Sequence, residues 1–250
     1  MWTGEMLTFK INLFLTRFFG IQIHKTRGHF NDARMHVIKS GKVVVVLDGG
    51  ANEGQWAKKL LAQGYSGLIL SVEPGKSAFK KLLLNTKKID KKPSSWKAIN
   101  VGLGMGNYNS ELYLAGNSGQ SSSFKKPKLH LTQYPTVVFA GSEKHEIKTI
   151  HEVIHDYEYP IYLKLDIQGM ELEALQGIGK SINKIYAIEI ELTVLPMYSG
   201  EAKLGQVISK LEALNFSIFS ISEFGKKNNG QVTYFDIIAV KNENINLISV

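Results

Sequence analysis

The chain has 250 residues, 44% hydrophobic and 21% charged, which gives it enough apolar material for a full core and too little charge for a disordered protein. It contains no Cys, excluding disulfides, zinc ribbons, iron–sulfur clusters and thiol nucleophiles. The net charge of +8 is uneven: residues 1–130 hold 20 basic and 7 acidic residues, residues 131–250 hold 10 and 15, and only Arg17, Arg27 and Arg34 are arginines. Base-specific nucleic-acid readers use planar Arg forks, so no specific nucleic acid is expected as a partner.

At the N-terminus, Leu7 to Ile23 is apolar but broken by Lys10, Asn12, Thr16, Arg17 and Gln22. It falls short of the roughly 18–20 apolar residues of a membrane span and lacks the basic start and cleavage site of a signal peptide. Leu7, Ile11, Phe14, Leu15 and Phe18 recur at helical spacing. This helix, within a helical extension over 1–40, either packs on the main domain or serves as a membrane-surface or dimerising helix. The expected location is cytoplasmic, free or held at a membrane through residues 7–23.

From Lys42 onward, short β-branched runs alternate with helical stretches, the pattern of a parallel sheet covered by helices. Strands are expected at Val43–Asp48, Leu68–Glu73, Trp96–Val101, Ile161–Asp166 and Ile185–Glu191, and helices at Gln55–Gln63, Ser77–Lys88, Glu171–Leu175 and Leu204–Leu214. Two more strands, Phe216–Ser222 and Thr233–Val240, flank Lys226-Lys227-Asn228-Asn229-Gly230 and read as an antiparallel hairpin closing the sheet. The domain thus runs over 41–250. Its stretch from about 102 to 159 is too long for an ordinary crossover and reads as an acceptor-side insertion.

Four of the parallel strands end in an acid: Asp48, Glu73, Asp166 and Glu191. Ligands of open parallel sheets bind at the carboxyl edge, and acids gathered there repel one another unless a cation or a hydroxyl-rich ligand sits among them. The first strand runs into Asp48-Gly49-Gly50-Ala51-Asn52-Glu53-Gly54. A P-loop would need Lys-Ser or Lys-Thr where Gln55-Trp56 stands, and a dinucleotide fingerprint would need Gly at Ala51. An acidic glycine loop suits a cationic ligand without phosphates. S-adenosylmethionine has that chemistry, and Glu73 is placed to accept its ribose hydroxyls.

His151-Glu152-Val153-Ile154-His155 matches the H-E-x-x-H zinc signature, with Glu171 or Glu173 as a third ligand. It makes a zinc metallopeptidase the remote alternative, against a solvated helix face with chance histidines. The lysines of 76–97 (Lys76, Lys80, Lys81, Lys87, Lys88, Lys91, Lys92 and Lys97, against Asp90) form the densest basic patch. The readings are a solvated face, an RNA methyltransferase's phosphate contact, or contact with an anionic glycan, a lipid-linked substrate or a membrane. Ser121-Ser122-Ser123 beside Lys125, Lys126 and Lys128 suits a polar acceptor or is a surface loop.

The chain resembles the FkbM-type family of class I S-adenosylmethionine-dependent methyltransferases. The resemblance covers nearly all of 36–250 and rests on Leu47–Gln55, Val72-Glu73-Pro74, Glu189-Ile190-Glu191-Leu192, Asp236–Val240 and above all Leu163–Gly177. Gln168 stands where many members carry Glu, and His151 where Asp is frequent. The resemblance implies a Rossmann-like α/β sheet, mostly parallel, with helices on both faces. It also implies O-methyl transfer to a hydroxyl of a glycan, glycolipid or secondary metabolite. Asp48, Gly50, Asn52, Gly54 and Glu73 are expected to hold the cofactor, with Asn100 near the adenine. Alternation puts Tyr162, Lys164 and Asp166 on one strand face. Asp166 is the expected catalytic residue, as base or as ligand of a divalent metal, with Lys164 and Glu189 as its supports. The competing reading is a buried ion pair that only stiffens the sheet.

Overall fold

The computed structural model describes residues 14–15, 17–18, 30–89, 95–133, 136–158, 160–226 and 229–248. Most of the apolar repeat between Leu7 and Ile23, with Lys91 and Lys92, lies outside the described residues. Phe14, Leu15, Arg17 and Phe18 are helical, with Phe14 and Phe18 exposed. Among the described residues no helix is long and apolar enough to cross a membrane.

The elements follow in the expected alternation: α1 (Phe30–Ser40), β1 (Val45–Gly49), α2 (Gln55–Ala62), β2 (Leu68–Val72), α3 (Lys76–Ile89) and β3 (Trp96–Ile99). Then come β4 (Gly102–Gly104), β5 (Tyr108–Ala115), α4 (Leu129–Gln133), β6 (Phe139–Thr149), α5 (Ile150–Ile154), β7 (Ile161–Leu165) and α6 (Glu171–Gln176). The chain continues through β8 (Ile185–Thr193), α7 (Leu204–Ala213), β9 (Phe216–Ile221), β10 (Gly225–Lys226) and β11 (Val232–Lys241).

The main sheet runs β10-β11-β8-β7-β1-β2-β3, with β9 also on β11. β3, β2, β1, β7 and β8 are parallel, whereas β11 is antiparallel to β8, β9 and β10. Every residue of β1 and β7 is buried, as expected for central parallel strands covered on both faces. Alternate residues feed two cores. Val45, Leu47, Leu163 and Leu165 pack with Ile150, Leu175 and Leu211 of α5, α6 and α7. Val46, Ile69 and Tyr162 pack with Val37, Leu60 and Leu82 of α1, α2 and α3.

The long connection between β3 and β7 is not an open loop. It builds its own sheet in the order β4-β6-β5. Its strands escape the sequence pattern because β5 opens on the polar and largely exposed Tyr108-Asn109-Ser110-Glu111, without the long apolar run that marks the main sheet.

Candidate active site

The switch point lies between β1, which leads to one side of the sheet, and β7, which lies beside it. At the end of β1 the loop turns through Gly50 (φ +73°), Asn52 (φ +48°) and Gly54 (φ +85°). The Gly50 and Ala51 N–H groups both donate to the Val72 carbonyl at 3.0 Å, pinning the loop to the end of β2. A Cβ on Gly50 would stand 1.8 Å from the Asp166 carbonyl oxygen, and one on Gly54 would strike Trp96 and Leu82. Both positions require glycine because of protein neighbours. Glu73 turns back under this loop: its carboxylate accepts the Asn52 N–H at 2.9 Å and the Gly75 N–H at 2.8 Å. Burial pushes its carboxyl up to about 7 against the pull of those two donors.

Above Glu73 opens a cavity of about 290 Å³, within reach of the usual small-molecule range. Gly50, Ala51, Asn52, Glu73, Lys164 and Asp166 line it together with Trp56 and Gln168. The insertion roofs it through Gly119, Gln120, Ser122 and Phe124, and Asn52 Nδ2 ties floor to roof by donating to the Ser118 carbonyl at 3.0 Å.

Beneath this cavity one register row of the sheet is polar. Ser71, Asp48, Lys164 and Glu189 stand side by side on β2, β1, β7 and β8. Trp96 Nε1 donates to Ser71 Oγ (2.9 Å), and Ser71 Oγ donates to Asp48 Oδ2 (3.0 Å). Lys164 Nζ lies 3.5 Å from both Asp48 Oδ1 and Asp166 Oδ2. Burial works against the Lys164 charge. Asp166, Asp48, Glu189 and Glu191 outweigh it and hold the ammonium above the ordinary lysine range.

Asp166 follows β7 at the mouth of the row, its side chain partly open to the cavity. Gln168, in left-handed backbone (φ +53°), donates Nε2 to Asp166 Oδ1 at 2.8 Å and lies 3.4 Å from Glu191 Oε2. The Tyr198 hydroxyl lies 2.9 Å from Gln168 Oε1, and Ser123 Oγ donates to the Gln168 carbonyl at 2.6 Å.

Of the residues singled out in the sequence, Gly50, Asn52, Glu73, Lys164 and Asp166 meet at one cavity. Asp48 and Gly54 do not line it: Asp48 is fully buried in the row and Gly54 caps α2. Asn100 does not line it either, its amide donating to the Glu73 and Pro74 carbonyls at 2.8 Å each. Glu189 sits beside Lys164 in register but bonds elsewhere. Arg34 grips it in a fork (2.5 and 2.7 Å), joined by the Tyr162 hydroxyl at 2.7 Å and Trp56 Nε1 at 3.1 Å. Arg34, Trp56, Gln168 and Tyr198 are the participants that sequence reasoning missed; the Gln at the family's Glu position was the one available signal.

The H-E-x-x-H segment forms the one-turn helix α5. His151 Nδ1 bonds Ser181 Oγ at 2.8 Å, and His155 faces Asp156 at 3.1 Å. Among the described residues no three His, Cys, Asp or Glu side chains are grouped to hold a metal ion. The lysines of α3 supply no lining residue to the cavity above Glu73.

The methyltransferase FkbM domain family matches residues 48–218. The chain is 22% identical over 196 residues to the 2-O-methyltransferase NoeI of Sinorhizobium fredii, covering 75% of this chain and 77% of that protein. A crystal structure of methyltransferase FkbM from Methylobacillus flagellatus is similar with a TM-score of 0.49 and 14% identity. The match covers 78% of this chain and spans 43% of that one. The magnesium protoporphyrin IX methyltransferase of Synechocystis, crystallised with bound S-adenosylmethionine, gives a TM-score of 0.46 at 11% identity, over 84% of this chain and 77% of its own. With the family's domain matched from Asp48 through Ile218, across the glycine loop, Glu73 and the Asp166 signature, the chain belongs to the FkbM family of S-adenosylmethionine-dependent methyltransferases.

Proposed function

We propose that the protein transfers a methyl group from S-adenosylmethionine to a sugar hydroxyl of a glycan, glycolipid or secondary metabolite. The observation that carries this reading is the placement of Glu73 and Asp166 in one cavity, an acceptor for hydroxyls and a partly exposed carboxylate. The residues fit the cofactor: Glu73 keeps lone pairs for ribose hydroxyls beyond its two backbone donors, and the acidic surroundings suit a sulfonium. Gly50 and Asn52 shape the rim, while Asp48, Gly54 and Asn100 act from behind it, by holding Lys164, capping α2 and fixing the Glu73 backbone. The 2-O-methyltransferase NoeI relative supports an oxygen acceptor.

When bound, the cofactor supplies an electrophilic methyl. The chain's share is alignment for in-line displacement and removal of the hydroxyl proton. Asp166 takes that proton, and Lys164, 3.5 Å away, holds the carboxylate in place. Asp166 acts as the base in this reading; as ligand of a divalent metal it would act differently, and chelator separates the two. The insertion over 102–159 forms the acceptor side and residues 1–40 an extension of the catalytic domain over 41–250.

Calorimetry should show binding of S-adenosylmethionine and S-adenosylhomocysteine and none of NAD; the reverse pattern refutes the reading. Asp166→Asn should leave cofactor affinity within a few fold and lower the transfer rate by about 10²–10⁴, the usual share of a positioned base. Chelator should leave wild-type transfer unchanged, and wild-type turnover in the Asn variant would make Asp166 a structural partner of Lys164 alone.

A further inference from the structure

A second cavity of about 330 Å³ adjoins the first, and Gln168 and Gln120 line both. We propose that this second cavity, walled by Gln168, Glu191, Thr193 and Tyr198, seats the acceptor and admits uncharged hydroxyl-bearing ligands while turning away those carrying phosphate or carboxylate. The proposal rests on the first cavity being the cofactor site.

Position is the first argument. The amide of Gln168 is the partition, bonded on one side to Asp166 and facing Glu191 on the other. A hydroxyl reaching past it from the second cavity meets Asp166, the group assigned to take its proton. Tyr198, bridging Gln168 and the Ser121 carbonyl at 2.9 and 3.0 Å, fixes that partition to the insertion.

Charge is the second. Among the described residues no Lys, Arg or His lines the second cavity, whereas Glu171 and Glu191 do. Two nearby cations are already engaged. Lys164 lies between Asp48 and Asp166, and Lys125 lies 2.6 Å from Glu173 and 2.8 Å from the Gly200 carbonyl. Burial, with Asp166 and other carboxylates close by, already holds Glu171 and Glu191 above the ordinary carboxyl range. An entering anion would add to a field, set by Asp166 and the carboxyls around it, that already disfavours negative charge. A sugar hydroxyl both donates and accepts and satisfies Glu191 and Tyr198 alike. The lysines between 76 and 97 that the structure describes line neither cavity, so they do not offset this field from the walls.

The test is saturation-transfer NMR on protein loaded with S-adenosylhomocysteine. The probes are methyl glucoside, its uronic-acid analogue and its phosphate monoester. Methyl glucoside should bind, and the two anionic probes should bind about tenfold or more weakly, as like-charge contact requires. Val137→Lys, and independently Tyr234→Lys at the partly exposed rim of the cavity, each set a cation on the wall and should each narrow that gap severalfold. Equal binding of all three probes, preference for an anionic one, no binding of methyl glucoside, or a gap unmoved in both variants would overturn the proposal. Failure to bind S-adenosylhomocysteine would instead overturn the cofactor reading beneath it.

Discussion

Glu73 is a buried acid held by two backbone donors, so its removal should act on the ligand more than on the fold. Glu73→Ala is expected to weaken S-adenosylhomocysteine binding by roughly 1.5–3 kcal/mol, the range for a hydrogen bond to a charged group, read by calorimetry beside an unchanged circular dichroism spectrum. Gly50 is the opposite case. With φ at +73° and the Asp166 carbonyl where a Cβ would go, Gly50→Ala should cost about 1–3 kcal/mol or more and separate the β1 loop from β7. Loss of stability in urea, without a selective effect on the cofactor, is the expected signature. These two residues were legible as parts of one loop-and-acid motif. Their division of labour was not, because a glycine required by a protein carbonyl and one required by a ligand have the same letter.

At the level of elements, the parallel strands could be read because β1 and β7 are buried on both faces and therefore written as apolar runs, broken only by Asp48 and Gly49 in β1 and by Lys164 in β7. Their predicted ends differ from the observed ones by a residue or two. The second sheet could not, since β5 and β6 carry exposed polar residues and pair only with each other and β4. Nor could the tie between α1 and β8, made by residues 155 apart in sequence. Arg34 also lies between the rings of Phe30 and Trp56, 5.4 and 5.3 Å from their centroids. Removing one partner of a buried fork leaves the other charge stranded, costing about 3–5 kcal/mol. Arg34→Met and Glu189→Gln should each destabilise by that order, and the double variant by less than their sum, as a double-mutant cycle would record.

Across the whole molecule, several carboxyls titrate late. Burial above all raises Asp236 to about 6, Glu73 to about 7 and Glu171 to about 8, from ordinary values of 3.8, 4.5 and 4.5. An acid with a raised folded pKa binds its proton more tightly when folded. Its stabilising contribution is complete below the unfolded value and is lost as pH climbs through the folded one. These groups should therefore make the protein progressively less stable from about pH 4 to about pH 8. Glu171→Gln removes the latest of these titrations, so the melting temperature of the variant should gain on wild type as pH rises from about 6 to about 9. A constant difference across that range would remove Glu171 from the set.

The fork between Arg34 and Glu189 also bears on where the smallest autonomous piece of this protein begins. The family's recognisable stretch starts at Asp48, and a boundary drawn there would discard α1 with Val37 and Ile38, uncover the sheet face they pack on, and leave Glu189 buried without its cation. A truncated chain opening at residue 41 should accordingly be recovered misfolded or aggregated, and one opening at residue 28 as a folded monodisperse species with cofactor affinity. Heritable similarity and mechanical self-sufficiency thus have different edges in this chain, and eleven residues of helix separate them.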